Sequence, residues 1–516
     1  MSDRRGVIPE ERQRPLDLDP ERADRAERKH VAVVDLGSNS VRLVIYDSLS
    51  RAPFPRFNEK SLCHLGAGLD ETGRLSETAI DATRRAVSRF AAIAKAMDVE
   101  RIDLIATEAI RKASNGRDLI DQLVAEAGID VRVLSEAEEA HFAALGVISG
   151  FYRPRGLVGD MGGGSLELAE VIDDHVGERW VSLPVGALPV MALLEKHGKA
   201  AKDAVDDILG DRLPPLLTEP VFYTVGGGWR ALARVHMALT DAPVKVAHGY
   251  EIELEEVREF TKKIWRMSPT EIADLPDVPS RRIKTLPAAA LVLDRVLKKL
   301  RPERIMFSAL GLREGWLYAQ LPEDERYLDP MIEGAQNFGL LRARVPSFGQ
   351  ALVRWTAELF PGEMHAEKRL RVAACALSDI AWSDHRGVQA PQSFDRIVRF
   401  PFVGIDHAER LWLAATVYAR YNGDFSDPTM KPARDVLPQA QLRRADILGR
   451  AMLLAYRFSG SVPDILATAK LNIETDRVSL KTSGAVKAPD SDAVHTRMKQ
   501  LARALSVSGS EIIESE

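Results

Sequence analysis

The sequence predicts an α/β protein whose first part contains two similar domains and whose last part is mainly helical. Strand and helix patterns alternate between about residues 31 and 321, which is typical of an α/β fold. Two stretches, VAVVDLGSNSVRLVIY (31–46) and RGLVGDMGGGSLELAEV (155–171), share an apolar strand, Asp-x-Gly, small residues and a second apolar strand. This repeat predicts an internal duplication. Beyond about residue 322 helical patterns dominate.

Length and composition limit the kind of protein. A chain of 516 residues is too long for one hydrophobic core and should form roughly three or four domains. Its 45% hydrophobic and 28% charged residues are ordinary for a globular protein. The formal net charge of −5 gives no overall attraction for nucleic acid or a membrane, so a polyanionic ligand would need local positive charge.

The cysteines and the apolar segments indicate a compartment. Cys63 and Cys375 are the only cysteines, and their separation suits neither a zinc site nor a disulfide scaffold, which fits a reducing environment. The sequence has no run of about 18 apolar residues to span a bilayer. It has no apolar segment behind the basic N-terminal residues. We therefore expect a cytoplasmic protein with no membrane partner and no nucleic-acid partner.

The chain is predicted to begin with a charged tail, followed by the first α/β domain. Residues 1–29 mix both charge signs with prolines, which is typical of a solvated, disordered segment. The first hairpin has strands at 31–34 and 41–46 around a Gly/Ser/Asn turn. The next predicted elements are an amphipathic helix (76–96), a strand (IDLIAT), a helix from Glu108, a strand (VRVL) and a helix (SEAEEAHFAALGVISG).

The second domain repeats this outline, and the remainder is helical. After the second hairpin, VFYTVGGGWRALARV predicts strand, glycine-rich turn and helix, and ERIMFSALGLREGWLY predicts strand, loop and helix. GQALVRWTAELF and AERLWLAATVYARY are typical of the helical part, and a short β-like stretch lies near ATAKLNIETDRVSLKT. The predicted domains are a charged tail (1–29), two similar α/β domains (30–141 and 142–322) and a helical C-terminal domain (323–516).

Three glycine-rich loops each follow an apolar strand. Glycine allows a ligand to approach the main chain, and successive N–H groups in such a bend form an anion-binding nest. Neither a P-loop nor a dinucleotide-binding glycine pattern is present in the sequence. The candidate phosphate-binding residues of these loops are Ser38, Asn39, Gly162, Gly163, Gly164, Ser165, Gly226, Gly227 and Gly228.

Acidic residues occupy matching places in the two hairpins. Asp35 and Asp160 stand at equivalent positions beside the turns, and a carboxylate beside bound phosphate normally needs a divalent cation, Mg²⁺ by default. Strand alternation places Ser165 and Glu167 on one face and the neighbouring leucines on the other. Asp35, Asp160 and Glu167 are therefore candidate Mg²⁺ ligands, and a salt bridge on the sheet surface is the alternative for Glu167.

Six motifs carry a resemblance to a known family. DLGSNSVRLVIYD, ATEAIRKASNG, LSEAEEA, GDMGGGSLEL, VGGGWRALARV and SALGLREG occur in the order expected of the exopolyphosphatase / guanosine pentaphosphate phosphohydrolase family. The chain from Val31 to Tyr318 closely resembles this family, and the C-terminal part resembles its longer members more loosely. The resemblance implies two actin-like (ribonuclease H-like) domains around a cleft, of the actin–Hsp70–sugar-kinase superfold, followed by a mainly helical HD-like domain.

The resemblance also implies an activity and its ligands. Family members hydrolyse the terminal phosphate of inorganic polyphosphate, or the 5′ γ-phosphate of guanosine pentaphosphate, with Mg²⁺. The expected ligands are therefore inorganic polyphosphate and guanosine pentaphosphate or tetraphosphate, and the expected assembly is a homodimer. The long C-terminal extension favours polyphosphate, because a processive enzyme needs a long channel.

The family's general base is a glutamate of an E-E-A motif, here Glu138-Glu139-Ala140. The resemblance favours Glu139, and Glu138 is the alternative. Ser135 and Glu138 have the S-x-x-E spacing of a capping box, which would occupy Glu138 with its own helix N-terminus. Arg111 matches the family's phosphate-contacting arginine, and a surface arginine is the alternative.

Two positions depart from the family pattern near the expected pocket. His141 stands where the family usually has arginine, so an anion contact there would be weaker or pH-dependent. Trp229 stands in the third loop where a small hydroxyl residue is common, and it is expected to narrow or reshape the pocket. The basic stretches SRRIK (280–284) and RVPSFGQALVR (344–354) could supply positive charge for chain binding, although solvated surface is the favoured interpretation for each.

The C-terminal domain lacks the residues of a working HD site. His365, His385 and His407 are present, but the adjacent pairs are the reversed Asp384-His385 and Asp406-His407. A metal site is therefore not expected there, and a role in chain binding or dimerisation is favoured.

Two other functions remain open. An ATP-using kinase or ATPase of the same superfold would need a nucleotide pocket, and the E-E-A glutamate after VRVLS argues against it. A non-catalytic sensor of guanosine polyphosphates or polyphosphate would bind without releasing phosphate. The joint presence of Glu139, Asp160 and Glu167 favours an enzyme.

Overall fold

The computed structural model describes residues 16–19, 29–213, 221–483 and 491–514. Its internal contacts divide the chain into two compact units. One unit, called the catalytic unit below, is formed by residues 27–326; the other, the helical unit, is formed by residues 327–516 together with the N-terminal residues up to 26. None of the described helices is both long enough and apolar enough to cross a lipid bilayer.

The catalytic unit contains two sheets of mixed strand direction. Its strands are β1 His30–Leu36, β2 Ser40–Tyr46, β3 Pro55–Leu62, β4 Val99–Ala106, β5 Val131–Val133, β6 Arg155–Met161, β7 Leu166–Ile172, β8 His175–Leu183, β9 Val221–Val225, β10 Tyr250–Glu253 and β11 Arg304–Phe307. The first sheet has the order β3-β2-β1-β4-β5, and the second has the order β8-β7-β6-β9-β11-β10. In each sheet the first three strands pair in an antiparallel meander. The next strand then pairs in parallel with the first strand. The shared arrangement confirms the predicted duplication.

Helices cover these sheets. They are α1 Leu69–Thr72, α2 Glu77–Ala96, α3 Glu108–Lys112, α4 Gly116–Ala127, α5 Glu136–Gly150, α6 Ala187–His197, α7 Ala201–Leu209, α8 Gly227–Leu239, α9 Leu254–Ile264, α10 Pro269–Ala273, α11 Leu286–Leu300, α12 Leu312–Tyr318 and α13 Glu323–Arg326. Short 3₁₀ turns lie at Gly198–Ala200, Gly210–Arg212 and Ser280–Arg282. The predicted helix 76–96 is confirmed, with Ser76 as the N-cap whose side chain accepts from the Ala79 N–H.

The central strands contain runs of apolar residues because both of their faces are buried. In β1, Ala32 and Val34 pack into one apolar cluster and Val31 and Val33 into another. A strand buried on both sides reads as a continuous apolar run rather than an alternating one. The turn of each hairpin therefore lies at the end of a strand that is held rigidly because both of its faces are buried.

The two hairpin turns match at the level of single residues. The Gly37 N–H donates to the Ser40 carbonyl at 3.1 Å, and the Gly162 N–H donates to the Ser165 carbonyl at 2.9 Å. The strand register pairs Asp35 with Arg42 in the first hairpin and Asp160 with Glu167 in the second. The duplication thus places a cation in one hairpin where the other has a carboxylate.

The helical unit combines helices with a small sheet. Its helices are α14 Pro330–Leu340, α15 Phe348–Trp355, α16 His365–Leu377, α17 Gln389–Arg399, α18 His407–Arg420, α19 Lys431–Val436, α20 Gln439–Ser459, α21 Pro463–Ala467 and α22 Asp492–Leu505, with 3₁₀ turns at Ala357–Leu359 and Pro428–Met430. Its strands are β12 Ala469–Ile473, β13 Arg477–Thr482 and β14 Gly509–Glu514. The predicted β-like stretch is confirmed as β12 and β13, whereas the parallel strand β14 was not predicted.

Most of the predicted charged tail, residues 1–29, lies outside the described residues. Residues 16–19 are described, and Leu16 and Leu18 are buried in the helical unit. The Asp19 N–H donates to Gln336 at 2.9 Å, and the Gln336 side chain donates back to the Asp19 carbonyl at 2.7 Å. Leu16 and Leu18 depart from the predicted solvated segment, because they provide an apolar anchor that the average composition of the tail conceals, whereas Asp17 between them is exposed.

Candidate active site

A cavity of about 230 Å³ lies between the two halves of the catalytic unit. Turn residues of both hairpins and the start of α8 line it. The predicted site residues in its wall are Asp35, Ser38, Asn39, Glu139, Asp160, Gly162, Gly163, Ser165, Glu167, Gly226, Gly227 and Gly228. Gly164 and Arg111, which were also predicted, lie behind the wall and contact Glu108 and Glu139, respectively.

The second glycine loop turns its amide groups away from α6. The carbonyl oxygens of residues 162–164 accept hydrogen bonds at 2.8–3.2 Å from the N–H groups of residues 186–188, where α6 begins. In a planar trans peptide the N–H group points opposite to the carbonyl. The N–H groups of residues 163–165 therefore point away from α6 as a consecutive set, which is the arrangement of an anion-binding nest.

Neighbouring groups occupy the space of a side chain at Gly164 and crowd that space at Gly163. A Cβ atom on Gly164 would lie 1.9 Å from the Glu108 carboxylate, and one on Gly163 would lie 3.2 Å from the Ser38 Cβ atom. Outside the loop, a Cβ atom on Gly186 would lie within 2.6 Å of three backbone atoms of residues 163–165. Gly186, which the sequence did not single out, therefore allows α6 to approach the loop.

The third glycine loop starts a helix at the cavity. Gly226 has φ 106°, a backbone conformation that favours glycine, and α8 follows directly. The free N–H groups and the dipole of a helix N-terminus favour a bound anion. The expectation that Trp229 narrows the pocket is wrong, because its ring is fully buried and its Nε1 donates to the Ala289 carbonyl at 3.0 Å.

Five of the described carboxylates line the cavity, and Glu139, Asp160 and Glu167 are the three with a raised pKa. Burial raises the pKa of Glu139 to about 7, against the opposing effect of Arg111. Burial raises the pKa of Asp160 to about 6 and, together with the charge of Glu139, that of Glu167 to about 8. The predicted alternation is confirmed, since Glu167 lines the cavity while Leu166 and Leu168 are in the core. Mutually repelling, desolvated acids in a cleft are typical of a functional site.

The two glutamates of the E-E-A motif have different environments. The Glu138 carboxylate accepts from the Ser135 N–H at 2.9 Å, and the Ser135 hydroxyl accepts from the Glu138 N–H at 3.3 Å, which together form the predicted capping box. Arg132 also donates to the Glu138 carboxylate, at 2.6 Å. The hydrogen bonds that the carboxylate accepts, the first from Ser135, lower the pKa of Glu138 to about 2. Glu139 is 7% exposed and lines the cavity. The geometry therefore favours Glu139 over Glu138 as a proton acceptor in the cleft.

A cationic wall, which the sequence did not reveal as a group, completes the cavity. Its members are Arg42, Lys60, Arg230, Arg282 and Arg313. Burial and neighbouring arginines lower the pKa of Lys60 to about 8, and the same two causes lower the pKa of Arg42 to about 10. Solvated surface is thus wrong for Arg282 of the SRRIK stretch. These cations come from both halves, so only the folded chain brings them together.

Asp35 is held in an ion pair. Arg313 contacts the Asp35 carboxylate at 2.9 Å. The next residue, Glu314, accepts hydrogen bonds from the Tyr46 hydroxyl at 2.6 Å and from the Gly311 N–H at 3.0 Å. The assignment of Asp35 as a metal ligand stays a prediction, and its contact in this structure is with a cation.

The donor set of the cavity suits a hard cation that is shared with a substrate. Asp160 and Glu167 face each other across the β6–β7 ladder and supply carboxylate oxygens, which Mg²⁺ prefers. Within residues 16–19, 29–213, 221–483 and 491–514, no three His, Cys, Asp or Glu side chains gather closely enough to hold a metal ion. Mg²⁺ commonly uses one or two carboxylates and completes its shell with water and substrate phosphates. The residues present therefore fit Mg²⁺.

Comparison with known proteins shows which family this chain resembles. Residues 44–324 match the Ppx/GppA phosphatase family, and residues 331–510 match the exopolyphosphatase C-terminal domain. Exopolyphosphatase 1 of Mycobacterium leprae is 27% identical over 307 residues, which cover 57% of this chain and 90% of that protein. Retrograde regulation protein 2 of Saccharomyces cerevisiae is 26% identical over 385 residues, which cover 67% of this chain and 63% of that protein.

A solved structure supports the fold. The crystal structure of an exopolyphosphatase-like protein superimposes on this chain with a TM-score of 0.50 and 23% sequence identity. The superposition covers 56% of this chain and 96% of the chain in that structure. Together with the strand order and the C-terminal match, this confirms two actin-like (ribonuclease H-like) domains and a mainly helical C-terminal domain. The chain belongs to the Ppx/GppA phosphatase family.

Proposed function

We propose that the cavity is the active site of an Mg²⁺-dependent exopolyphosphatase, which releases the terminal phosphate of inorganic polyphosphate with Glu139 as general base. One observation carries the proposal: a single cleft combines amide-lined glycine loops, buried carboxylates and a cationic wall. This combination suits a phosphate chain. The family match and the exopolyphosphatase relatives support the same reaction class.

The charge distribution of the cavity orients the bound polyphosphate. The carboxylates Glu139, Asp160 and Glu167 would repel a bare phosphate, so the terminal phosphate binds there only with its metal and with the amide groups of residues 163–165. The cations Lys60 and Arg282 attract the phosphates that follow. Phosphoryl transfer demands positioning and charge neutralisation more than covalent chemistry from the protein, and these groups supply both.

The reaction requires one proton acceptor. A water oxygen forms a bond to the terminal phosphorus, and the bridging P–O bond to the rest of the chain breaks. The Glu139 carboxylate takes the water proton, and the shortened chain leaves as an anion held by the cationic wall. Bound Mg²⁺, held by Asp160 and Glu167, would withdraw charge from the phosphate oxygens. The products are orthophosphate and a chain shorter by one unit.

The composition of the wall favours an inorganic chain over a nucleotide. Among the described residues that line the cavity, none carries an aromatic ring. Recognition of a nucleobase commonly relies on stacking against aromatic side chains. Guanosine pentaphosphate is therefore the weaker substrate in this proposal, and ATP is expected to be inert.

The proposal predicts phosphate release that depends on the metal. Wild-type protein with Mg²⁺ is expected to release orthophosphate from long-chain polyphosphate, and excess chelator is expected to abolish release. Guanosine pentaphosphate and ATP serve as parallel substrates in the same assay. Binding of polyphosphate without release would show a sensor, and preferential release from ATP would show a nucleotide hydrolase.

The acid limb of the pH–rate profile, where the rate falls as the pH is lowered, is predicted to lie near pH 7. A protonated Glu139 cannot accept a proton, so kcat/KM, which reports the free enzyme, should rise as the pH increases through the pKa of about 7. The measurement is kcat/KM for long-chain polyphosphate against pH. Glu138→Gln is the control and should keep the same limb, because the pKa of Glu138 is already lowered to about 2. A profile without an acid limb near neutrality would contradict the assignment.

A further inference from the structure

Arg111 is expected from the family resemblance to contact phosphate, but its partners in the structure are different. Its Nη1 atom donates hydrogen bonds to the Glu139 carboxylate and to the Leu134 backbone carbonyl. Its Nη2 atom lies 3.8 Å from the Glu136 carboxylate. The cavity is lined by Glu139 and not by Arg111. Arg111 therefore stands one layer behind the proposed base.

We propose that Arg111 is a positioning residue, which acts on the reaction through Glu139 and not through the substrate. The inference rests on the proposed function, because it assigns Arg111 the task of holding the general base. One guanidinium nitrogen joins Glu139 to Leu134, which follows β5 and precedes Ser135, the N-cap of α5. The base is thereby tied to the strand end from which its own helix begins.

The charges around Glu139 give this contact a second consequence. Arg111 and Glu108 face Glu139 from α3, Asp160 faces it from β6, and Glu167 faces it from β7. Burial and the three carboxylates favour the protonated form of Glu139, whereas the guanidinium favours the ionised form. Arg111 thus keeps the base ionised in a pocket that otherwise favours its neutral form.

Direct contact with phosphate is the competing role, and it would use a different nitrogen. Nη2 of Arg111 is buried and makes no hydrogen bond to the described residues, so it is the atom that would donate to a phosphate. Loss of such a contact would weaken substrate binding and so raise KM. It would not move the acid limb, because the contact between Nη1 and Glu139 would not be the one that matters for the reaction. The two roles therefore predict different changes in KM and in the pH profile.

The test compares pH profiles of kcat and KM for phosphate release from long-chain polyphosphate. Arg111→Gln retains hydrogen-bond donors but removes the charge, and it is expected to move the acid limb upward by about one to two pH units. KM is expected to change by less than about threefold. Arg111→Lys retains a charge and is expected to place the limb between those of the wild type and Arg111→Gln.

Arg132→Gln is the matched control. Arg132 makes the same kind of ion pair with Glu138, at 2.6 Å, on the exposed side of the motif. Its replacement should leave the acid limb and KM unchanged. Thermal unfolding of each variant establishes that it is folded, and Arg111→Lys carries the test if Arg111→Gln does not fold.

Specific outcomes would overturn the proposal. A KM increase of about tenfold or more with an unmoved limb would show that Arg111 contacts phosphate. An equal limb shift in Arg132→Gln would show a general effect of surface charge. A wild type without phosphate release, or a fully active Glu139→Gln, would instead refute the proposed function, so the two failures are distinguishable.

Discussion

Replacement of Glu139 by glutamine is expected to lower kcat for phosphate release by about 10²–10⁴-fold, the usual range for loss of a general base. Glutamine has nearly the same shape but cannot accept the water proton. The buried position of Glu139 in the cavity wall means that bulk water does not replace it easily as a base. The measurement is kcat on long-chain polyphosphate with saturating Mg²⁺, together with binding of the same chain.

The neighbouring glutamate supplies the control for this experiment. Glu138→Gln removes the same charge one position away, where the carboxylate caps its own helix and pairs with Arg132. We expect kcat to stay within about threefold and the thermal stability to fall slightly, since a capping interaction contributes about 1 kcal/mol. If Glu138→Gln were inactive and Glu139→Gln active, the base would be Glu138.

Substitution of Gly186 by alanine is expected to lower kcat/KM by about 10²-fold, although Gly186 does not line the cavity. The new Cβ atom would lie within 2.6 Å of backbone atoms of residues 163–165. Backbone cannot rotate away as a side chain can, so either the loop or the start of α6 must move. A misplacement of roughly 1 Å in a catalytic arrangement can cost about 10²-fold. Steady-state kinetics on polyphosphate measure this loss.

A glycine inside the same loop is the matched control. A Cβ atom on Gly162 would lie 3.4 Å from the Ser165 carbonyl, which is an ordinary contact. Gly162→Ala should therefore cost less than about tenfold, despite its place in the cavity wall. A Gly186→Ala variant with wild-type kinetics would show that the loop tolerates displacement and that the amide groups of residues 163–165 do not set the phosphate position.

The sequence predicted those parts of the fold that local patterns encode. The strands around Asp35 and Asp160, the helix that Ser76 caps and the duplicated hairpins all follow from apolar runs, turn residues and capping residues in short windows. Strand β14 was missed because GSEIIE has little apolar character and pairs with the distant β13. The buried leucines of residues 16–19 were missed because a charged average composition outweighed two apolar positions.

The candidate site was predictable where one segment carries both the residue and its context. Glu139 and Glu138 could be distinguished because the capping box lies within four residues. The cationic wall could not be predicted, since Lys60 lies on β3 and Arg282 lies in a turn before α11, and only the fold brings them together. The partner of Arg111 was likewise hidden, because its ion pair joins α3 to α5 across an intervening helix and strand.

The anchoring of Asp19 by Gln336 makes the helical unit a discontinuous domain, into which the catalytic unit is inserted along the chain. A fragment that starts at Tyr327 would leave the buried Gln336 amide without these two hydrogen bonds and would uncover the surface that Leu16 and Leu18 fill. An autonomous version of this domain therefore needs both of its segments, the N-terminal residues up to 26 and the residues from Tyr327 onward. The natural excision point of the catalytic unit is correspondingly a pair of cuts, one before residue 27 and one after residue 326.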